Sequence, residues 1–480
     1  MSSIISTRWI DWKKYSFKEA VLNSQPLDKW LFVFEYFPSF SKTELEKLVF
    51  LSYQDLAKKV IWSLPTWIPE DELWKIIDWA YWKQWDNEDI TPIFQIWENQ
   101  YTLELYHWPT QAFKDVALQF LPRVLSYFRE EWKIFRALWA SSGDTISAAH
   151  FWVWDVEWLQ SFFLLPAKWP SRIQKLQATA HWFNNATTIL IKWSFDDWQK
   201  VIKTILTDPK YKKFKEDNNF ITFNSINIAR ITAQIVYYFK AYLELVKLWA
   251  IKIWDEVNFS VPSWNFWDAL AWVYAKNMWL PIAKINVATN ENDVLHRFLE
   301  TWIYMPWGQL KMTRAPSQDI TVASNFERML FETIRDPHRV SQLMNDLQKN
   351  WYFKVSDEEL KELRKRLTSS RANDVEIDKA IIKIYNDCWK VIDPHSATWT
   401  HWWLLVFWEN PKIPTICLET AGDIKFEPLE WIPRSENWYR QVLENLEKNE
   451  EDYLTCEADE ESIVATLTKA VEEVNSRTQK

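Results

Sequence analysis

The sequence predicts an α/β protein with mainly parallel sheets behind a helical N-terminal region. Three observations predict it. Residues 1 to about 90 carry helix-start signals. From about Phe94, short β-rich runs alternate with helical stretches of ten or more residues, the pattern of strands joined by crossover helices. The chain has 480 residues, 48% hydrophobic and 25% charged, which suits two or three globular domains and excludes disorder, collagen and a bare coiled coil.

The elements follow in order. Ser16 with Glu19, and Ser41 with Glu44, have the spacing of capping boxes, and a Pro-rich interval runs from Leu64 to Pro69. Ile96, Tyr101–Tyr106, Ile134–Leu138, Phe162–Leu165 and Thr187–Ile191 are the β-rich runs. An apolar run from Val257 leads into Pro262-Ser263, and Ala269, Leu270, Val273 and Tyr274 then keep helical spacing up to Leu280-Pro281. Val355–Leu367 reads as a charged amphipathic helix with Ser356 and Glu359 as its box, and the acidic stretch Glu444–Glu461 followed by Ile463–Val474 reads as a surface helical cap. No repeats or low-complexity segments occur.

Bulk charge narrows function. A net charge of −9 disfavours a nucleic-acid footprint. No stretch reaches the roughly 18 apolar residues of a membrane span, and Met1–Lys14 lacks a signal-peptide core, so the expected compartment is the cytoplasm. Cys388, Cys417 and Cys456 lack metal-ligand spacing, and no metal is expected.

Two counts are anomalous: Gly 3 and Trp 36. An average chain is about 7% glycine and on the order of 1% tryptophan. Position decides what this means. Trp279 sits where a helix takes its left-handed C-cap, as do Trp132 and Trp351; Trp264 and Trp267 sit in a strand-to-helix turn; Trp402-Trp403 follow a Ser/Thr-rich turn. Two readings compete. Either exposed indoles form stacking platforms for sugars or bases, or UGA has been translated as Trp where the source organism reads glycine. The placement favours the second, with about thirty of the indoles standing for glycine on the average glycine content.

Three segments carry chemistry. In Leu105–Phe120, LYHWPTQAFKDVALQF, Lys114 opens an apolar helix after the turn with Pro109 and Thr110. Burial there favours a neutral amine and Schiff-base chemistry, although alone a snorkelling surface lysine is the simpler reading. Ala140–Ala149, ASSGDTISAA, is a small-polar loop entering a helix, able to hold an anion or to act as a plain cap. Ser263-Trp264-Asn265-Phe266-Trp267 becomes SGNFG with glycine for tryptophan, a phosphate cradle of backbone N–H groups between strand and helix. His107 precedes the lysine turn and reads best as a structural histidine.

With glycine for tryptophan, the chain resembles the threonine synthase family, pyridoxal-phosphate enzymes of the tryptophan-synthase-β-like fold (fold type II). The resemblance runs through Ser6-Thr7-Arg8, Leu105–Phe120, Ala140–Thr145, Ser260–Trp272, Ala288–Leu295, Pro316–Glu332, Asp393–Trp402 and Ile416–Ala421. It implies a helical N-terminal domain over 1–92, a large cofactor domain over 93–130 and 226–430, a small α/β domain over 131–225 and a C-terminal helical cap over 431–480. It implies Lys114 as the catalytic Schiff-base lysine for pyridoxal 5'-phosphate. Ser263, Trp264, Asn265, Phe266, Trp267 and Asp268 match the cofactor-phosphate loop. Ser142, Asp144 and Thr145 match the substrate loop, with Asp144 also near the cofactor, and Thr420 matches the partner of the pyridine nitrogen. The implied reaction turns O-phospho-L-homoserine and water into L-threonine and phosphate, the last step of threonine biosynthesis, in a monomer that binds neither nucleic acid nor membrane.

The chain departs from the family pattern at Ile146 in the carboxylate loop, at Gly422-Asp423-Ile424 behind Thr420, and at Phe34, where the family often has proline. The rivals are another fold type II lyase, of threonine dehydratase or cysteine synthase type, and a non-catalytic Trp-rich binding protein. The long helical N-terminal region and Ser324–Arg328 argue against the first. The last predicts solvent-facing indole rows, whereas the enzyme predicts Trp264 and Trp267 crowded near Lys114.

Overall fold

The structure, a computed structural model, describes residues 2–9, 13–26, 30–107, 110–129, 133–140, 144–153, 156–166, 171–180, 183–191, 204–205, 208–221, 226–306, 310–399, 412–435, 444–457 and 459–478. Its strands are β1 (Ile4–Ser6), β2 (Phe32–Phe34), β3 (Ile93–Trp97), β4 (Gln100–Glu104), β5 (Phe135–Ala140), β6 (Leu159–Pro166), β7 (Ala186–Ile191), β8 (Phe220–Ile221), β9 (Val257–Pro262), β10 (Ile282–Thr289), β11 (Ile303–Tyr304), β12 (Phe353–Lys354), β13 (Leu367–Arg371), β14 (Thr415–Glu419) and β15 (Tyr453–Cys456). The chain folds as two compact units, the first built from Met1–Phe120, Ser225–Asp423 and Pro428–Ser435, the second from Leu121–Asn224, Ile424–Glu427 and Glu436–Lys480.

The first unit holds a six-stranded sheet ordered β13-β10-β9-β14-β4-β3. Every pairing is parallel except the edge hairpin β3–β4. All residues of β9 and of β14 are buried, as expected for parallel strands covered on both faces. The helix Ile228–Lys247 is nearly all buried and packs against Tyr53–Ser63, which buries Tyr53, Leu56, Ala57, Val60 and Ile61 at helical spacing.

Both N-terminal capping boxes form, Ser16 with Glu19 and Ser41 with Glu44, as does Ser356 with Glu359. The N-terminal region also contains the antiparallel pair β1–β2, beyond the helices its sequence predicts. Motifs far apart in sequence meet here. Thr7 Oγ1 donates to Glu327 Oε1 at 2.5 Å, Arg8 Nε donates to the same oxygen at 3.3 Å, and Arg328 Nε donates to the Phe32 carbonyl at 2.8 Å.

The second unit holds a parallel sheet ordered β15-β7-β6-β5-β8. The sequence reads 431–480 as a helical cap; the structure corrects this, pairing Tyr453–Cys456 with β7 as an edge strand before the helix Glu460–Thr478. The four-residue run is short and half-exposed, so its alternation is masked by the acidic residues around it. The helix lays Ile463, Leu467, Ala470, Val471 and Val474 against Leu138, Phe162 and Ile189.

Among the described residues, fifteen non-glycine positions have positive φ, and eight of them are tryptophan: Trp9, Trp67, Trp249, Trp254, Trp279, Trp302, Trp351 and Trp389. Trp302, Trp351 and Trp389 are left-handed C-caps of their helices. Trp279, one residue beyond a C-cap at Met278, has φ 70°. Trp132 and Trp402-Trp403 lie outside the described residues. A Cβ in the left-handed region costs about 1–2 kcal/mol, and glycine escapes that cost. Trp351→Gly and Trp389→Gly, at exposed sites of 73% and 80%, are therefore expected to stabilise the chain by about 1 kcal/mol each; urea midpoints measure it, and a loss at both sites would refute the reading of these caps.

Candidate active site at the carboxyl ends of β4, β9 and β14

The strands β4, β14 and β9 are mutually parallel neighbours, so their carboxyl ends open on one edge of the sheet. Each is followed by a segment singled out in the sequence. After β4 comes the lysine turn, after β9 the loop Ser263–Asp268, and after β14 comes Thr420. Ligands of open parallel sheets bind at this edge.

Lys114 is the first residue of the helix Lys114–Phe128 and is 4% exposed. Its turn is fastened to the segment after β14. Leu105 N–H donates to the Glu419 carbonyl at 3.0 Å, Phe113 N–H to the Thr420 carbonyl at 2.9 Å, and Gly422 N–H to the Gln111 carbonyl at 3.1 Å, with Ala112 and Ala421 forming an antiparallel bridge. Thr110 Oγ1 donates to the Asp115 carboxylate at 2.6 Å, closing the turn from the helix side.

The loop after β9 turns through Phe266 at φ 62° into the helix Trp267–Asn277. Ser263 N–H donates to the Ala288 carbonyl at 2.8 Å, and Asn325 N–H to the Asn265 carbonyl at 3.0 Å. Asp268 Oδ1 accepts from both Tyr237 and Tyr238 hydroxyls, so this carboxyl anchors the loop to the helix Ile228–Lys247. Burial pushes Asp268 up to about 7 against those hydrogen bonds. Trp264 and Trp267 are 7% and 2% exposed. The Trp264 ring centroid lies 5.3 Å from Lys114 Nζ and 5.1 Å from that of Phe113, and the Trp267 centroid lies 5.0 Å from that of Phe113. These indoles are crowded beside the lysine, as the enzyme reading predicts, and form no solvent-facing row.

Thr420 is buried. Ser263 Oγ, Asp268 Oδ2 and Thr420 Oγ1 are buried with no hydrogen-bond partner among the described residues. Unpaired buried polar atoms are costly, and these three, carried by the segments that follow β9 and β14, fit a polar cofactor with a phosphate and a ring nitrogen. The two indoles do not: they fill the place where backbone amides approach a phosphate.

Ser142 lies outside the described residues, as does the Asp144 side chain. Asp144 and Thr145 open the helix Asp144–Val153 that follows β5 in the second unit, and Thr145 is half-buried. Sequence reasoning missed Arg230, whose buried guanidinium lies 4.3 Å from the Trp267 ring centroid and which burial pulls down to about 9. The signal was an arginine among the apolar residues of the helix Ile228–Lys247. Among the described residues no His, Cys, Asp and Glu cluster could hold a metal ion.

His107 stands outside this chemistry. Its Nδ1 meets Asp86 Oδ1 and its Nε2 meets Glu104 Oε2, each at 2.7 Å. Glu104 lies opposite Glu419 in the β4–β14 register, and Lys390 bridges both carboxylates, with its Nζ 3.2 Å from Glu419 Oε1. Burial opposes charge on both glutamates; the His107 hydrogen bond and Lys390 hold Glu104 well below the usual carboxylate range, while burial keeps Glu419 above it.

Fold and site together define a fold type II pyridoxal-phosphate enzyme. Residues 3–81 match the family described as Threonine synthase N terminus. The chain is 36% identical to threonine synthase from Methylobacillus glycogenes over 86% of this chain and 88% of that one. It is 35% identical to threonine synthase from Saccharomyces cerevisiae, covering 88% and 87%. The crystal structure of PLP-bound threonine synthase from Brucella melitensis superposes with a TM-score of 0.88 at 30% identity, covering both chains fully at 100%. The chain belongs to the threonine synthase family.

Two outcomes follow from this geometry. A Cβ at Gly422 would lie 2.1 Å from Gln111 Oε1, so Gly422→Ala must displace the Gln111 side chain; we expect a loss of about 1–3 kcal/mol of stability and weaker cofactor binding, read by denaturant melts and cofactor titration. Burial alone would lower His107, but its hydrogen bonds to Asp86 and Glu104 raise it from 6.5 to about 9. Its stabilisation is complete below the unfolded value and lost as pH rises through about 9. The Tm deficit of His107→Gln should therefore be large at pH 6 and vanish near pH 10; a constant deficit contradicts this.

Proposed function

We propose that the chain converts O-phospho-L-homoserine and water to L-threonine and inorganic phosphate, using pyridoxal 5'-phosphate held through Lys114. The observation that carries this is Lys114 buried at the carboxyl edge between Ser263–Asp268 and Thr420, in a chain 36% identical to a threonine synthase. When bound, the cofactor supplies an electron sink for carbanions at the substrate Cα.

The chain's own residues do the rest. With the cofactor bound, the Lys114 amine would move protons at the substrate Cα and Cβ. The C–O bond at Cγ breaks and phosphate leaves with the bonding pair; a proton taken from Cβ ends on Cγ, the hydroxyl of water adds at Cβ, and the remaining proton of water goes to the released phosphate. With glycine at 264 and 267, the backbone N–H groups of Ser263–Asp268 would hold the cofactor phosphate. Thr420 Oγ1, buried and unpartnered among the described residues, would meet the ring nitrogen as a neutral partner, without forcing a full charge onto it. The family resemblance assigns Ser142, Asp144 and Thr145 to the substrate carboxylate.

We infer also that Trp264 and Trp267 stand where the working enzyme has glycine, through UGA decoding. The left-handed tryptophans and the filled loop support this. The codons at 264, 267 and 279 decide it: UGG there sinks the idea. We place the reaction in the cytoplasm and expect a monomer, readable by light scattering. Among the described residues no helix is long and apolar enough to cross a membrane.

Trp264→Gly/Trp267→Gly should gain the visible absorbance of bound cofactor and release phosphate from O-phosphohomoserine. Adding Lys114→Ala should remove the band and lower turnover by at least about 10³-fold. Deamination of serine or threonine without phosphate release would favour a dehydratase instead.

A further inference from the structure

Behind Thr420 lies a buried polar cluster on the short helix Pro394–Ala397 and its cap. Asp393, His395 and Ser396 are all at most 1% exposed. Asp393 Oδ1 accepts the His395 backbone N–H and faces His395 Nδ1, both at 2.9 Å, and Asp393 Oδ2 accepts the Ser396 hydroxyl. His395 Nε2 accepts the Ser317 N–H at 2.9 Å. A ring nitrogen that accepts carries no proton, so the imidazole proton sits on Nδ1 against Asp393. The Asp393 carboxylate is thereby locked on both oxygens.

Ser396 passes that order onward. Its Oγ, donating to Asp393, accepts the Thr420 N–H at 3.1 Å. A hydroxyl polarised by a carboxylate is a better acceptor. Thr420 is the first residue past the end of β14, where the ladder no longer supplies a partner for its N–H. Its carbonyl is taken by Phe113, the neighbour of Lys114. The Thr420 backbone is thus clamped at N–H by Ser396 and at C=O by the lysine turn, which fixes the direction of its Cβ and so the place of its hydroxyl.

We propose that Ser396, oriented by Asp393, is a positioning residue that sets the Thr420 hydroxyl for the cofactor ring nitrogen. This rests on the reading of Lys114 and Thr420 given above, and goes beyond it by assigning the group that holds Thr420. Misplacing a partner by a fraction of an ångström changes ring electronics before it changes binding.

The test uses the cofactor-loaded full chain with glycine at both loop positions. Ser396→Ala should keep the cofactor band but shift its maximum and its pH dependence, lowering kcat on the order of 10- to 100-fold with KM nearly unchanged. Ser396→Thr, which keeps the hydroxyl, should restore spectrum and pH profile. In a Thr420→Ala background, Ser396→Ala should add little, because no hydroxyl is left to place. If Ser396→Ala does not fold, Ser396→Cys, close in volume and a weak acceptor, carries the same expectations. A spectrum and pH profile identical to the parent, equal damage from Ala and Thr at 396, or full additivity with Thr420→Ala would overturn the proposal. Absence of a cofactor band in the parent, or its survival in Lys114→Ala, would instead overturn the functional reading on which it rests.

Discussion

The structure depends on one pairing, the insertion of β14 between β4 and β9. These strands come from distant parts of the chain, and only their parallel registers, Glu419 opposite Glu104 and Thr415 opposite Asn258, bring three carboxyl ends to one edge. The pairing sets two glutamates side by side in a buried place, which Lys390 then neutralises. Like charges in adjacent strands are destabilising unless compensated. His107 completes the set by taking the outer oxygen of Glu104. The charge network of Glu104, Glu419, Lys390 and His107 is thus explained as a condition for closing the sheet.

The N-terminal region is tied to the same unit by buried arginines. Arg8 and Thr7 share Glu327, while Arg328 reaches the Phe32 and Ile226 carbonyls. Glu327 and Arg328 follow Asn325, whose N–H holds the Asn265 carbonyl in the loop after β9. Removing one partner of such a buried pair costs more than the pair itself contributes. The loop after β9 and the first strands of the chain are therefore held by one segment, Asn325–Arg328.

Local signals were legible in the sequence. Ser16, Ser41 and Ser356 form their capping boxes because Glu follows at the third position, and Trp279 and Trp351 fall in left-handed turns because helices end there. Lys114 at the head of its helix and the loop after β9 were legible as motifs. What escaped depends on pairing across long separations. β15 is four residues whose neighbour, β7, is more than 250 residues away. Ser396 and Asp393 sit in an ordinary-looking cap, and their link to Thr420 exists only because β14 ends beside them. Arg230 reads as a helix residue until the helix is buried.

The left-handed tryptophans divide the indoles of this chain by the backbone they sit on. Left-handed torsion favours a residue without a side chain, and eight of the fifteen left-handed positions among the described residues are tryptophan. Trp351 and Trp389 belong to that set, whereas Trp152 and Trp272 lie inside regular helices, where torsion makes no such demand and only packing speaks. Two kinds of position therefore coexist in one chain. Sorting the indoles by backbone geometry separates those whose torsion favours glycine from those held by packing alone.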